Sequence, residues 1–138
     1  MATTSVAAHL RVVLVRTARR LRQEAGTELS PSQTAALATI ERRGPLTPSE
    51  LAVHERIQRP TATRVIARLE EAGLIERAAD PADGRSSLVS ISRDGRALLE
   101  AVRTRKDAFL ARRLEELDAD EVATLERAAE ILERVLER

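Results

Sequence analysis

The chain of 138 residues has the size of one ordinary domain, and its 43% hydrophobic and 33% charged residues are typical of a folded protein. It contains no cysteine, which excludes disulfides and thiolate metal sites. Its two histidines, His9 and His54, lie too far apart in sequence to suggest a metal site. No apolar run approaches a membrane span and no secretory signal is evident, so we expect a soluble cytoplasmic protein without cofactors.

Charge is distributed unevenly along the chain. Residues 1–113 hold 20 basic and 13 acidic residues, whereas residues 114–138 hold 3 basic and 9 acidic ones. Of the 23 basic residues, all but Lys106 are arginine. The net charge of +1 therefore combines a basic body with an acidic C-terminal segment, a pattern that permits a nucleic-acid partner.

The first predicted element is a helix over residues 5–25, closed by Gly26. Val12 and Val15 are apolar but lie off its main apolar stripe, which predicts a helix packed on more than one side. In so short a chain, a second copy is the natural source of that extra surface. The main stripe consists of Val6, Leu10, Val13, Leu14, Thr17 and Leu21.

Two helix starts follow with the same sequence pattern. Ser30-Pro31-Ser32-Gln33 and Thr47-Pro48-Ser49-Glu50 each combine an N-cap, a proline at the first helical position and a capping-box residue. The first predicts a helix to about Arg43, stopped by Gly44-Pro45, and the second a short helix ending near Glu55. A further helix is expected from Pro60 to Gly73.

The residue pattern then changes from helix to strand. Residues 74–79 and 86–92 predict two strands, and the turn-forming residues 80–85 between them predict a hairpin. Ser92 is expected to cap a long helix over about 93–116, and Asp118 to begin the last one. The predicted fold is mainly α-helical with a small β-hairpin wing.

The order helix, turn, helix, hairpin over residues 47–92 is that of a winged helix-turn-helix. The second helix carries an apolar face, with arginines and threonines on its remaining surface, as a DNA recognition helix requires. Arg85 lies at the hairpin tip, where it can enter a minor groove, and Asp83 could orient its guanidinium. The alternative interpretation is a solvated amphipathic helix beside an incidental Asp-Gly-Arg turn. The expected DNA-binding residues are Ser49, Arg59, Thr61, Thr63, Arg64, Arg68, Asp83, Arg85 and Ser86.

The sequence resembles the multiple-antibiotic-resistance regulator (MarR) family of bacterial transcription factors, over essentially the whole chain. The resemblance is carried by residues 29–33, 48–52, 60–75, 80–85 and 88–92 and by Gly95. It implies a single domain over 1–138, with a winged helix-turn-helix over about 30–92. It also implies that residues of about 5–25 and 93–138 form helices of a homodimer. The same apolar stripes would also suit a bundle within one chain.

The resemblance further implies a ligand-responsive repressor on a pseudo-palindromic operator in double-stranded DNA. Family members that sense peroxide use cysteine, which is absent, and zinc sensors need more histidines than this chain has. Many members bind phenolic acids between the dimer region and the winged region. Arg11 or Arg16 could hold such a carboxylate effector, and the alternative is that these arginines face solvent or DNA.

Three alternative classes of protein compete with this interpretation. No nucleophile–base pair or phosphate loop is visible, so the sequence predicts no catalytic residues and no enzyme. A winged-helix module that binds proteins rather than specific DNA remains possible on the sequence alone. The ArsR and PadR regulator types fit less well, because a long helix precedes the motif and two follow it.

Overall fold

The computed structural model describes residues 2–137, which form six helices and one two-stranded antiparallel sheet. Every predicted element is present, with boundaries shifted by three residues at most. In chain order the elements are α1 (Ala2–Ala25), α2 (Pro31–Arg43), α3 (Pro48–Glu55), α4 (Arg59–Glu71), β1 (Ile75–Ala79), β2 (Ser87–Ile91), α5 (Arg93–Leu114) and α6 (Ala119–Leu136).

The helix starts follow the capping chemistry that the sequence predicts. Ser30 and Thr47 each accept a hydrogen bond from the backbone N–H three residues on, and both capping boxes are complete. Ser92 caps α5, and Asp118 caps α6 with a third complete box. These bonds satisfy N–H groups that the first turn would otherwise leave unpaired, which fixes where each helix begins.

The main core lies between α2, α3, α4, the hairpin and the start of α5. It is aliphatic throughout, since the only aromatic residue of the chain, Phe109, lies outside it. Each helix of the region contributes one apolar face and leaves its polar face outside. The buried residues are Ala36, Leu37, Ile40, Leu46, Leu51, Ala52, Ala62, Val65, Ile66, Leu69, Leu74, Ile75, Val89 and Leu99.

The hairpin is anchored to this core at its base. Ile75 pairs with Ile91 and Ala79 with Ser87, so the turn projects away from the body. Leu46, in the loop before α3, exchanges two backbone hydrogen bonds with Val89 and forms an isolated bridge that the sequence pattern did not predict. Gly95 packs so closely that an added Cβ would lie 2.2 Å from the Leu74 carbonyl oxygen.

Helices α1 and α6 contrast with this core. Among the described residues, Ala25 is the only buried residue of α1, and α6 has none. Apart from the half-buried Leu21, the predicted stripe of α1 is exposed, and the off-stripe Val15 is 61% exposed. Packing within one chain therefore leaves the apolar surfaces of α1 and α6 largely exposed. No helix over residues 2–137 is long and apolar enough to cross a membrane.

Helix α5 connects the two regions. Its first half contributes Leu99 to the core, and Arg103 forms a 2.9 Å ion pair with Glu41 of α2. Further along, Arg105 donates a hydrogen bond to the carbonyl oxygen of Ala25 at the end of α1. One continuous helix therefore contacts both α1 and the winged region.

Candidate nucleic-acid interface

Helix α4 has the two faces that a recognition helix needs. Ala62, Val65, Ile66 and Leu69 are buried against the body, which fixes the rotation of the helix about its axis. The opposite face is formed by exposed side chains with donors or hydroxyls, together with the half-buried Thr61. The exposed predicted residues on this helix are Arg59, Thr63, Arg64 and Arg68.

Hydrogen bonds organise the first turns of this exposed face. Arg59 donates from Nη1 to Oγ of Ser49 on α3, at 2.7 Å, so the structure brings these two predicted residues together. Arg64 donates from Nη2 to Oγ1 of Thr61 at 3.3 Å. A guanidinium held by a neighbouring hydroxyl loses less side-chain entropy when it binds, so these bonds pre-organise the surface.

The tip of the wing is an ordered turn. Asp80 accepts from the backbone N–H of Ala82 at 2.9 Å, and Ser86 donates its N–H to the Asp83 carbonyl oxygen at 3.0 Å. Asp83 Oδ1 accepts the backbone N–H of Arg85 at 3.0 Å. The suggested ion pair between Asp83 and the Arg85 guanidinium is not among those of residues 2–137. The carboxylate instead shapes the backbone, which leaves the guanidinium exposed.

A contact that the sequence did not predict joins the wing to α4. Arg77 on β1 donates from Nε to Oε2 of Glu70 on α4 at 2.9 Å, and its Nη1 reaches Oγ of Ser87 at 3.5 Å. This bridge fixes the base of the wing relative to the end of α4. The alternation of strand residues could have indicated that Arg77 faces outward, but not that Glu70 lies opposite.

The remaining predicted residues lie apart from this surface. Arg11 and Arg16 are both exposed on α1, five positions apart, which places them about 140° apart around the helix axis. Arg16 borders a shallow hollow of about 450 Å³ together with Arg19, Arg20 and Phe109, whereas Arg11 does not. The two arginines therefore lie on different faces of α1, and of the two it is Arg16 that borders this hollow.

The fold and surface together define a winged helix-turn-helix protein. The MarR family model matches residues 29–87, which include α2–α4, β1 and the turn of the wing. An HTH-type transcriptional regulator of Mycobacterium tuberculosis is 39% identical over 128 residues, 92% of this chain and 90% of that protein. The multiple antibiotic resistance protein MarR of Salmonella typhimurium is 37% identical over 100 residues, 72% of this chain and 69% of that protein.

A solved structure agrees with these sequence matches. A candidate transcriptional regulator from Pseudomonas aeruginosa superposes with a TM-score of 0.89 at 37% identity, over 99% of this chain and 97% of that one. The chain belongs to the MarR family of DNA-binding transcriptional regulators. Its relatives are transcriptional regulators, which confirms the prediction that the protein is not an enzyme.

Proposed function

We propose that this protein is a ligand-responsive repressor that binds a pseudo-palindromic operator in the cytoplasm as a homodimer. The observation that carries the proposal is the exposed face of α4, where arginines and threonines stand on a helix whose other face is fully packed. In this proposal α4 enters the major groove and the wing enters the adjacent minor groove. A regulator bound in this way covers the promoter and blocks transcription.

The residues divide into two groups by the chemistry they offer. Arg64 and Thr61, with Thr63 and Arg68, present donors and methyl groups suited to base edges in the major groove. Arg85 offers an exposed guanidinium at the wing tip, suited to the negative potential of a narrow minor groove. Arg59 and Ser49 lie at the helix starts, a position that favours contacts to phosphates.

The uncovered helices support the homodimer. Helices in proteins are stabilised mainly by packing of an apolar face, and α6, with 18 residues and none buried, has an apolar face that its own chain does not bury. A second copy would cover it, and two-fold symmetry would then present two α4 helices to DNA. Such symmetry requires an operator with matching inverted half-sites.

A cavity supports ligand control. It measures about 380 Å³ and lies where α1, α2 and α5 meet, between the winged region and the exposed helices. Its lining combines apolar residues, among them Leu21, Leu29 and Leu99, with three cations, which suits an apolar anion. The cations are Arg22, Arg103 and Lys106. Neither Arg11 nor Arg16 lines it.

Selection from a pool of random duplexes tests DNA recognition. We expect the protein to enrich one sequence with two inverted half-sites, and Arg64→Ala to reduce that enrichment strongly. The matched control Arg93→Ala, an exposed arginine at the start of α5, should enrich the same site as the unaltered chain. A chain that enriches no sequence would contradict the proposal and would favour a protein-binding module instead.

Titration with salicylate as a probe phenolic acid tests ligand control. We expect it to raise the melting temperature and to weaken binding to the selected operator, because a ligand of the native state stabilises it. Arg103→Gln should blunt both responses, while Arg96→Gln, exposed on the same helix, should not. Equal responses from both variants would place the probe outside this cavity.

A further inference from the structure

Helix α6 and its C-cap residue Glu137 carry four carboxylates along one flank of the apolar face. Glu126, Glu130, Glu133 and Glu137 are spaced by four, three and four residues, which places them within one narrow sector of the helix surface. All four are exposed, and we call this set the acidic stripe. Of these four carboxylates, only Glu130 forms an ion pair within residues 2–137, with Arg127 of the same helix at 3.1 Å.

The acidic stripe is unfavourable for α6 taken alone. Like charges four residues apart, such as Glu126 and Glu130, repel each other on a helix surface. Glu133 and Glu137 also lie at the C-terminal end, where the helix dipole favours cations rather than carboxylates. The stability of the helix itself therefore gives no reason for this arrangement, whereas cations lying against the stripe would compensate it.

A set of four arginines lies around Phe109. The guanidinium carbons of Arg20 and Arg113 are 5.3 Å and 5.0 Å from the centre of its ring, so the aromatic face holds two cations close together. Arg16 and Arg19 border the same hollow. We call these four arginines the arginine cluster. Of the four, only Arg20 has an ion pair within the described residues, to Glu24 at 3.0 Å.

The two charged sets do not meet within one chain. The four ion pairs formed within residues 2–137 lie elsewhere, and none joins α6 to α1 or to α5. Both sets flank exposed apolar surfaces, represented by Val13 beside the arginine cluster and Leu125 beside the acidic stripe. Covering these two apolar surfaces with each other would bring the charged flanks together, as flanking charges meet beside the seam of a coiled coil.

We infer that the acidic stripe of one copy of the chain lies on the arginine cluster of a second copy. This inference rests on the proposed homodimer and assigns its contact. A two-fold axis makes the contact occur twice in each dimer. The opposite charges also make the contact specific, because a like charge at either surface would repel the second copy.

A charge-swap experiment tests the inference directly. One variant, Arg16→Glu/Arg19→Glu, replaces two of the four cations of the arginine cluster with carboxylates. The other, Glu126→Arg/Glu133→Arg, replaces two of the four carboxylates of the acidic stripe with cations and leaves the Arg127–Glu130 ion pair in place. In a homodimer of either variant the substituted side chains face like charges in both contacts. In the mixed dimer one contact is unaltered, and in the other the substituted side chains of the two variants face each other with opposite charges.

We expect the dimer dissociation constant of each variant alone to be roughly tenfold or more above that of the unaltered chain, at about 0.15 M salt. Mixing the two should restore dimerisation to within roughly threefold, with the mixed species dominant in native mass spectrometry. Sedimentation with interference optics gives the constants, since the chain has no Trp or Tyr. Circular dichroism verifies that each variant is helical.

Matched controls carry the same charge changes elsewhere. Arg93→Glu/Arg96→Glu and Glu71→Arg/Glu76→Arg alter exposed positions outside α1 and α6. We expect both to dimerise as the unaltered chain does, and their mixture to contain mixed dimers only in the statistical proportion. Selective pairing of these controls would show that net charge alone drives the effect, and would overturn the inference.

Other outcomes separate this inference from the proposed function. If the unaltered chain is monomeric, both fail. If it is dimeric but the swapped variants pair only statistically, the inference fails and the dimeric regulator stands. If one chain carrying both swaps recovers while the mixture does not, the contact lies within a chain, which overturns the inference. If the Arg16→Glu/Arg19→Glu variant stays dimeric and loses DNA binding, the cluster contacts DNA instead.

Discussion

Helices α4 and α6 have similar sequence patterns and different surroundings. Both combine an apolar face with charged residues, yet α4 buries four residues and α6 buries none. Leu69 of α4 is fully buried, whereas Leu125 of α6 is 50% exposed. Amphipathicity thus predicts that a helix will be covered on one side, but it does not identify the covering surface. In α4 that surface belongs to the same chain.

The sharpest way to examine this difference is to truncate one leucine in each helix. Leu69→Ala should lower the free energy of unfolding by about 2–5 kcal/mol, because it leaves a cavity in the core. Leu125→Ala should change the dimer dissociation constant instead, with a smaller loss of unfolding free energy. Denaturant titration by circular dichroism and sedimentation measure the two quantities. Equal effects of both variants on unfolding, with unchanged dimerisation, would contradict the comparison.

The next effect concerns the junction where α5 leaves the winged region. Gly95→Ala should destabilise the chain by about 1–3 kcal/mol, since the new Cβ would lie 2.2 Å from the Leu74 carbonyl oxygen and 2.8 Å from Ile91 Cγ1. Gly84→Ala, where an added Cβ meets nothing within 4 Å, is the matched control and should leave stability nearly unchanged. Thermal unfolding of both variants provides the measurement.

Within the DNA-binding surface, the two readout elements should differ. Arg64→Ala should cost about 1–3 kcal/mol per half-site on the selected operator and much less on random DNA, because base contacts carry specificity. Arg85→Ala should weaken binding to the selected operator and to random DNA alike. It should also lower the salt dependence of DNA affinity by roughly one counterion per wing. Fluorescence anisotropy on both duplexes at several salt concentrations measures this. Identical specificity ratios for the two variants would rule out the division of roles.

The smallest expected effect concerns the bridge between wing and α4. Glu70→Gln should reduce stability by less than about 1 kcal/mol, because the Arg77–Glu70 pair is partly exposed to solvent. We expect a greater relative effect on operator affinity, since a looser wing presents Arg85 less favourably. Glu71→Gln, exposed on the same turn, serves as the control. A loss of unfolding free energy well above this range would contradict the prediction and would show that the Arg77–Glu70 pair stabilises the core.

The sequence was most informative where bonding is local. Ser30, Thr47, Ser92 and Asp118 each cap a helix through a partner three residues away, so adjacent residues suffice to predict the helix start. The hairpin turn is equally local, because the Asp83 carboxylate bonds a backbone group two residues on. The sequence analysis suggested the Arg85 guanidinium as the partner of this carboxylate, whereas in the structure the partner is the Arg85 backbone N–H.

Contacts between distant residues required the folded chain. The Leu46–Val89 bridge, the Arg77–Glu70 pair and the hydrogen bond from Arg105 to Ala25 join residues whose separation in sequence carries no repeating signal. The sequence by itself determined the element order, the caps and the polar face of α4, because these depend on periodicity and neighbouring residues. Tertiary structure alone decided which apolar faces are buried within the chain and which remain exposed, since burial depends on where the other elements lie.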